Sequence, residues 1–410
     1  MQRPSSLQTF DSLLLPSNIL HRKLRLVEPR INQKGIATSD TSNISGEGQH
    51  EVPPEKMGNM FSGLLVHLGP VFALAALLIL NGNTMPSILM WGLGVMVATM
   101  STIVLHEQLW PAAALPNLKA EDVVRGTVLV FITGVLAGSS VVWLSYQAVL
   151  WLQIRFFYPD GVLPSRQFDW WYITYATLLD DYMYYFYHRF LSHGAMAFFQ
   201  KVHMPHHAVE CLDFWRGNLS SVWDTAIFGF QLWYGPIAAM YGMSLEAVFV
   251  SYFMVLLLQA THHTNHTFNI GKLRFFFVDN HAHKMHHCPW YPFPPQLFYP
   301  FLLPFDILRG SHLNLGACFS MWDRNCGTYY EDTSICTNYA QLHKVHLNVR
   351  PLSRSQGQQD INSVLVMALI FSMFFVPAVL PPATACCILV ATSCLLAMVL
   401  PFFSTSSKRD

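Results

Sequence analysis

Three long apolar runs, at about 60–80, 86–105 and 127–153, constrain this chain more than any other feature. The first, SGLLVHLGPVFALAALLIL, holds one histidine and no formal charge. Each run approaches the ~20 residues with which a helix crosses a bilayer core. Composition agrees: hydrophobic residues make up 52% of the chain and charged residues 12%, against about 25% charged in ordinary soluble domains. A formal net charge of +0 offers nothing to attract nucleic acid. The eight cysteines form no C-x-x-C pair and no disulfide spacing, so they read as reduced thiols. These observations predict an all-α integral membrane protein built as a transmembrane helix bundle.

Residues 1–58 are polar, lack a secretory signal and read as a disordered N-terminal tail. Their scattered acids, among them Glu28, Asp40 and Glu47, disfavour an organelle transit peptide. Transmembrane segments are expected over 59–167. A fourth segment, DWWYITYATLLDDYMYYFYH, opens a central region, 168–330. Its Asp180 and Asp181 are costly in lipid and should face protein, water or metal. Stretches 223–242 and 243–260 read as a hairpin that dips into the membrane and returns. A run of prolines and aromatics follows at 288–310, then a polar linker, 331–361, and a C-terminal apolar pair within 362–410. With the basic N-terminal cluster in the cytosol, this topology gathers every histidine group into a helical cap on the cytosolic face.

That cap is the second strong feature. Twelve of the nineteen histidines fall between Asp181 and His287. Two groups read H-x-x-H-H: His203, His206 and His207, then His283, His286 and His287. On a helix, residues at i, i+3 and i+4 share a face, so each group presents three imidazoles to one side. His188 and His193 precede them; His262, His263 and His266 lie between them. Neutral imidazole is a common ligand for iron, zinc and copper. Six to ten imidazoles exceed the needs of one ion, so two ions are expected. Structural zinc sites are closed, four-coordinate and often built with cysteine; an all-imidazole centre suits redox iron. His281 stands outside its triplet and is expected to orient a ligand. Asp181 lies seven residues before His188, on the same face. A carboxylate there can bond a ligand imidazole or help hold metal, or it can pair with Arg189 or a tyrosine; spacing leaves both open.

These residues resemble the fatty acid hydroxylase/sterol desaturase superfamily of membrane-bound histidine-box diiron oxygenases. The likeness runs from about Asp181 to Tyr329. It comprises D-x6-H-R at Asp181–Arg189, H-x4-H completed by His193, HMPHH, H-x-N at His263–Asn265, HKMHH, N-x-G at Asn314–Gly316, and MWDRNCGTYYE. The resemblance implies that 168–330 is a catalytic core in the endoplasmic-reticulum membrane, using dioxygen to hydroxylate or desaturate a lipid C–H bond. It implies two iron ions, with electrons from NAD(P)H through separate partners, cytochrome b5 and its reductase. The implied ligands are His188, His193, His203, His206, His207, His263 or its neighbour His262, His283, His286 and His287, with His266 a further candidate. Trp322, Asp323 and Arg324 would tie the C-terminal segment to the core. The 288–310 run departs from the pattern, either as a lid for an apolar substrate or as an interfacial loop. A sterol is favoured as substrate over fatty-acyl or sphingoid chains. The rival expectations are a histidine-rich metal transporter, with ligands inside the spans, and an inactive lipid-binding relative.

Overall fold

A computed structural model describes residues 60–111, 119–158, 160–163, 165–193, 197–207, 213–224, 231–266, 268, 270–287, 314–326, 328–329 and 380–403. The expected polar tail, the 288–310 run, the 331–361 linker and the first member of the C-terminal pair lie outside these residues. Described secondary structure is helical apart from two isolated bridges, Gln167 with Met243 and Phe277 with Phe319.

The three apolar runs become the three candidate spans. Helices α1 (Met60–His67) and α2 (Gly69–Asn81) meet at a 49° bend and are long enough together to cross a membrane. Pro70 opens α2, where its missing N–H costs no helical bond. Helix α3 (Met85–Leu109) has 25 residues, and α4 (Ala120–Phe157) has 38. Within α4, Val128–Ala137 widens into π-helix. Apolar side chains such as Phe72, Leu80, Ile132, Leu136 and Trp151 point outward from these helices. A coat of this kind belongs against lipid rather than water.

The fourth segment differs from its neighbours. Helix α5 (Trp170–Phe186) starts where the Asp169 carboxylate accepts the Trp171 N–H at 2.7 Å. Every residue from Tyr175 to Tyr182 is buried, so α5 is the centre of the bundle rather than a lipid-facing wall. Around it pack α8 (Gln231–Met240), α9 (Leu245–Gln259) and α12 (Pro382–Phe403). Its two acids therefore face protein, as the cost of a carboxylate in lipid requires.

Helices α8 and α9 occupy the predicted hairpin. At 1.5 Å per residue, the 15 residues of α9 rise only about 22 Å, short of the ~30 Å hydrocarbon core. A segment that turns back is what this length allows. The turn is tied down by the Tyr146 hydroxyl, which donates to the Met243 carbonyl at 2.5 Å, and by Arg166, which donates to the Ala239 carbonyl at 2.6 Å. Shorter helices complete the fold: α6 (Ala197–His207), α7 (Phe214–Gly217), α10 (Asn280–His286) and α11 (Met321–Cys326).

Candidate metal centre

The histidines come from four places in the chain. α5 runs into a π turn, Tyr187–Ser192, which carries His188 and ends at His193. In an α-helix, residues five apart point about 140° away from each other. A π turn closes its bonds between i and i+5, and here the His193 N–H meets the His188 carbonyl at 2.9 Å. The extra residue per turn brings the two rings to 4.8 Å. The H-x4-H spacing thus works because the helix widens there.

α6 and α10 supply the two triplets, and each is divided. His188, His193, His203, His207 and His286 form one group; His206, His263, His283 and His287 form the other. In each group the candidate ligand nitrogens all lie within 4.8 Å of one another. α6 gives its i and i+4 histidines to the first group and its i+3 histidine to the second. α10 does the reverse. The groups abut, with His207 and His287 stacked at 4.6 Å between centroids.

The nitrogen contacts test whether a metal fits. The His263 Nε2 lies 2.7 Å from that of His283 and 3.2 Å from those of His206 and His287. His283 and His287 are themselves 3.2 Å apart. A neutral ring nitrogen carries one proton or one lone pair. The triangle of His263, His283 and His287 can therefore satisfy at most one of its three contacts by a hydrogen bond. Nitrogens bound at about 2.0–2.1 Å to one ion stand about 3.0 Å apart when adjacent at right angles. In the first group the His203 Nε2 lies 3.0 Å from those of both His188 and His207. Lone pairs crowded in this way suit a cation at each centre. Burial first, and then the facing imidazoles, hold His207, His263, His283 and His287 well below the usual imidazole range. The rings are kept neutral, as ligation requires.

Outer contacts aim the rings. His188 donates its Nδ1–H to the Leu315 carbonyl at 2.7 Å, and His203 donates its own to the Asp224 carboxylate at 2.8 Å. Each bond fixes the tautomer that leaves Nε2 bare. Ser220 donates to the same Asp224 oxygen at 3.0 Å. Burial would raise the Asp224 carboxyl, but the His203 imidazole against it holds the group below its usual value. His263 is placed by close backbone approach: a Cβ on Gly217 of α7 would collide with the Cβ of His263. Glu107, at the end of α3, accepts backbone N–H groups from Phe214 at 2.9 Å and Asn265 at 2.5 Å. It thereby ties a candidate span to the loop carrying His263.

The remaining expected residues have other places. His262 stacks on His283 at 5.1 Å but belongs to neither group, and its buried Nε2 has no hydrogen-bond partner among the described residues. His266 donates to the Trp110 carbonyl at 2.8 Å, also outside both groups. His281 is buried outside both groups, pushed down to about 3 by burial and by the charges of Lys284 and Arg274. Asp181 differs from the expectation of a metal-site carboxylate. Its oxygens accept the backbone N–H groups of Cys318 at 2.7 Å and Phe319 at 3.0 Å, and the Trp322 indole at 2.9 Å. These bonds turn it toward the C-terminal motif.

That motif forms a clasp. Asn314 adopts φ 51°, a left-handed conformation that asparagine tolerates. A Cβ on Gly316 would press on the Phe319 carbonyl at 2.6 Å. The Asp323 carboxylate accepts from the N–H groups of Leu315 at 2.7 Å and Gly316 at 2.8 Å, and from the Thr328 hydroxyl at 2.7 Å. The Arg324 guanidinium lies over the Tyr329 ring at 3.6 Å. The clasp thus fixes the Leu315 carbonyl that orients His188.

Sequence reading did not find Asp224, Glu107 or Gly217. Only Asp224 left a trace, as an acid at the head of an apolar stretch.

Comparison with known families places this region. Residues 173–328 match the family described as fatty acid hydroxylase. No curated protein and no solved structure matches the chain. The matched stretch contains both histidine groups and the clasp, and over residues 173–328 the chain belongs to the fatty acid hydroxylase family.

Proposed function

We propose that this chain is a membrane-bound non-haem diiron oxidoreductase that uses dioxygen to hydroxylate or desaturate a lipid. The observation carrying this reading is the sorting of nine imidazoles, seven buried and two (His206 and His263) half-buried, into two abutting groups with crowded Nε2 atoms. His188, His193, His203, His207 and His286 would hold one ion, and His206, His263, His283 and His287 the other. Iron bound there would supply the redox chemistry that activates dioxygen toward an unactivated C–H bond. The protein's own part is orientation and exclusion. Leu315 and Asp224 hold the outer ring nitrogens. Burial keeps His206, His207, His263, His283 and His287 neutral. The apolar walls beside the groups keep bulk water from the reacting carbon.

The donors come from the end of α5, α6, α10 and the loop after α9, whereas a transporter would place its ligands inside spans such as α3 and α4. The finer parts of the reading are the endoplasmic-reticulum membrane, a cytosolic-facing site, and electrons from NAD(P)H through cytochrome b5 and its reductase. They rest on the family likeness and the basic N-terminal cluster. A sterol is the substrate class that sequence reasoning favoured.

The test is metal analysis of purified full-length protein in lipid nanodiscs, followed by oxygen-isotope labelling of lipids in cells with and without the gene. Close to two iron ions per chain and a labelled or newly unsaturated lipid are expected. Alanine at His286 and His287 together should abolish turnover. Stoichiometric zinc alone, with no activity after iron reconstitution and reductant, would overturn the reading.

A further inference from the structure

Beside the second histidine group, three buried imidazole nitrogens have no hydrogen-bond partner among the described residues: His283 Nδ1, His262 Nε2 and His67 Nε2. They come from α10, from the loop after α9, and from α1, part of the first candidate span and outside the family region. The three residues are 7%, 2% and 1% exposed. The His262 ring lies over that of His283 at 5.1 Å, with 28° between planes, and 6.1 Å from that of His67. Phe277 closes one side, meeting the His67 ring at its edge at 6.2 Å. The opposite nitrogen of each ring is engaged. His67 Nδ1 meets the Thr261 hydroxyl at 2.6 Å. His262 meets the Val278 carbonyl, which only accepts, so its Nδ1 carries the proton and its Nε2 is a bare lone pair. His283 turns its Nε2 into the second group, so as a ligand it carries its proton on Nδ1.

We propose that one ordered water binds these three nitrogens, and that His67 thereby acts as a positioning residue for the ion of the second group. The inference rests on metal binding by that group and gives the first span a part in it. The three nitrogens are complementary to water. A water molecule accepts the His283 Nδ1 proton and donates to the His262 lone pair. It keeps one donor and one acceptor position, which serve His67 Nε2 in either tautomer. About three partners is the usual number for a buried water. Spacing agrees. His263 and His283, whose nitrogens touch at 2.7 Å, have ring centroids 4.4 Å apart; His67 and His262 stand at the wider separation of a water-bridged pair. A ligand imidazole that donates its outer N–H is fixed in orientation and made more basic. His188 and His203 do so through Leu315 and Asp224, and both belong to the first group. For His283 the acceptor is the water, and His67 holds that water in place. The first span thus reaches the metal centre through one side chain, itself anchored on Thr261.

Mössbauer spectra of full-length protein, loaded with isotopically enriched iron in phosphatidylcholine nanodiscs, test this without turnover. Amide side chains separate the two nitrogens of His67. Asparagine places a polar atom near Nδ1 and keeps the Thr261 bond, whereas glutamine places one near Nε2. His67→Gln should leave the spectrum unchanged. His67→Asn should move one of the two iron signals and leave the other, and one ion of the pair should leave at about tenfold lower chelator concentration. A purely structural role for the Thr261 bond gives the reverse, a change with glutamine and none with asparagine. That result, or an unchanged spectrum in both variants, overturns the proposal. If either variant fails to fold, His262→Leu decides: it should move one signal alone, and no movement or equal movement of both overturns the proposal. The expected shift in a protein that consumes no dioxygen would defeat the oxygenase reading and leave the water site standing. Dioxygen consumption with unshifted signals would do the opposite.

Discussion

Two carboxylates, Asp181 and Asp224, divide the work that sequence spacing assigns to one. Asp224 is the acid that touches a metal-facing imidazole, through His203 Nδ1. Replacing such an outer partner typically costs 10–100-fold in metal affinity or activity. Asp224→Asn should therefore weaken iron retention by about that factor with little change in melting temperature, as checked by metal analysis after graded chelation. Asp181 instead stabilises the fold. Asp181→Ala leaves three buried donors unpaired and should cost about 3 kcal/mol or more, at about 1–3 kcal/mol per orphaned group. A thermal melt of the metal-free protein isolates that loss. The spacing from Asp181 to His188 was legible because it is local. The direction of the Asp181 side chain was not, since its partners lie some 140 residues downstream and only the folded chain brings them near. The same holds for the choice among His262, His263 and His266. Periodicity ranks them equally, whereas the contact with Gly217 seats His263 alone among them in a group.

Among the elements, the π turn at Tyr187–Ser192 has the clearest mechanical role. Inserting one alanine after Phe190 would carry the His193 ring one residue further round the helix, about 100° from the first group. Metal analysis should then show at least half of the bound iron lost, with His206, His263, His283 and His287 still able to bind. Full retention would mean that the widened turn is incidental. Hydropathy made α1–α4 legible, because lipid imposes both length and composition on a span. It left the neighbours of α5 open, and the helix lies at the centre of the bundle, buried from Tyr175 to Tyr182. An apolar helix reads the same whether its neighbours are lipid or protein; only Asp180 and Asp181 hinted at the difference. The π turn at Tyr187–Ser192 carries no glycine or proline, so H-x4-H was the only sign of it. The helical triplets were legible as ligand-bearing faces, but not their division, which depends on how α6 and α10 face each other.

At the scale of the whole molecule, burial of imidazoles sets the response to acid. His262 and His281 are both pushed down to about 3 from 6.5, first by burial. Below pH 6.5 the unfolded chain takes up protons at these rings and the folded chain does not, so stability falls as pH falls. Between pH 6.5 and 5.5 the loss is about 1 kcal/mol for each such ring. Metal-free protein should thus melt several degrees lower at pH 5.5 than at pH 7.5; a flat profile would show that the histidines are solvated. Membrane character and the histidine cap were legible in the sequence. The link between them was not, for it runs through Glu107, a single acid at the end of an otherwise apolar run.

The interleaving of the two triplets has a consequence for assembly. Each of α6 and α10 gives imidazoles to both groups, so on the proposed two-ion reading the first ion to bind would order both helices and leave the second set of nitrogens already in place. The entropy of that ordering falls on the first binding event, and the second ion should bind more tightly. Titration of the metal-free protein with ferrous iron should be sigmoidal, with singly loaded protein scarce at every point. Two independent hyperbolic steps would show that each group forms without the other.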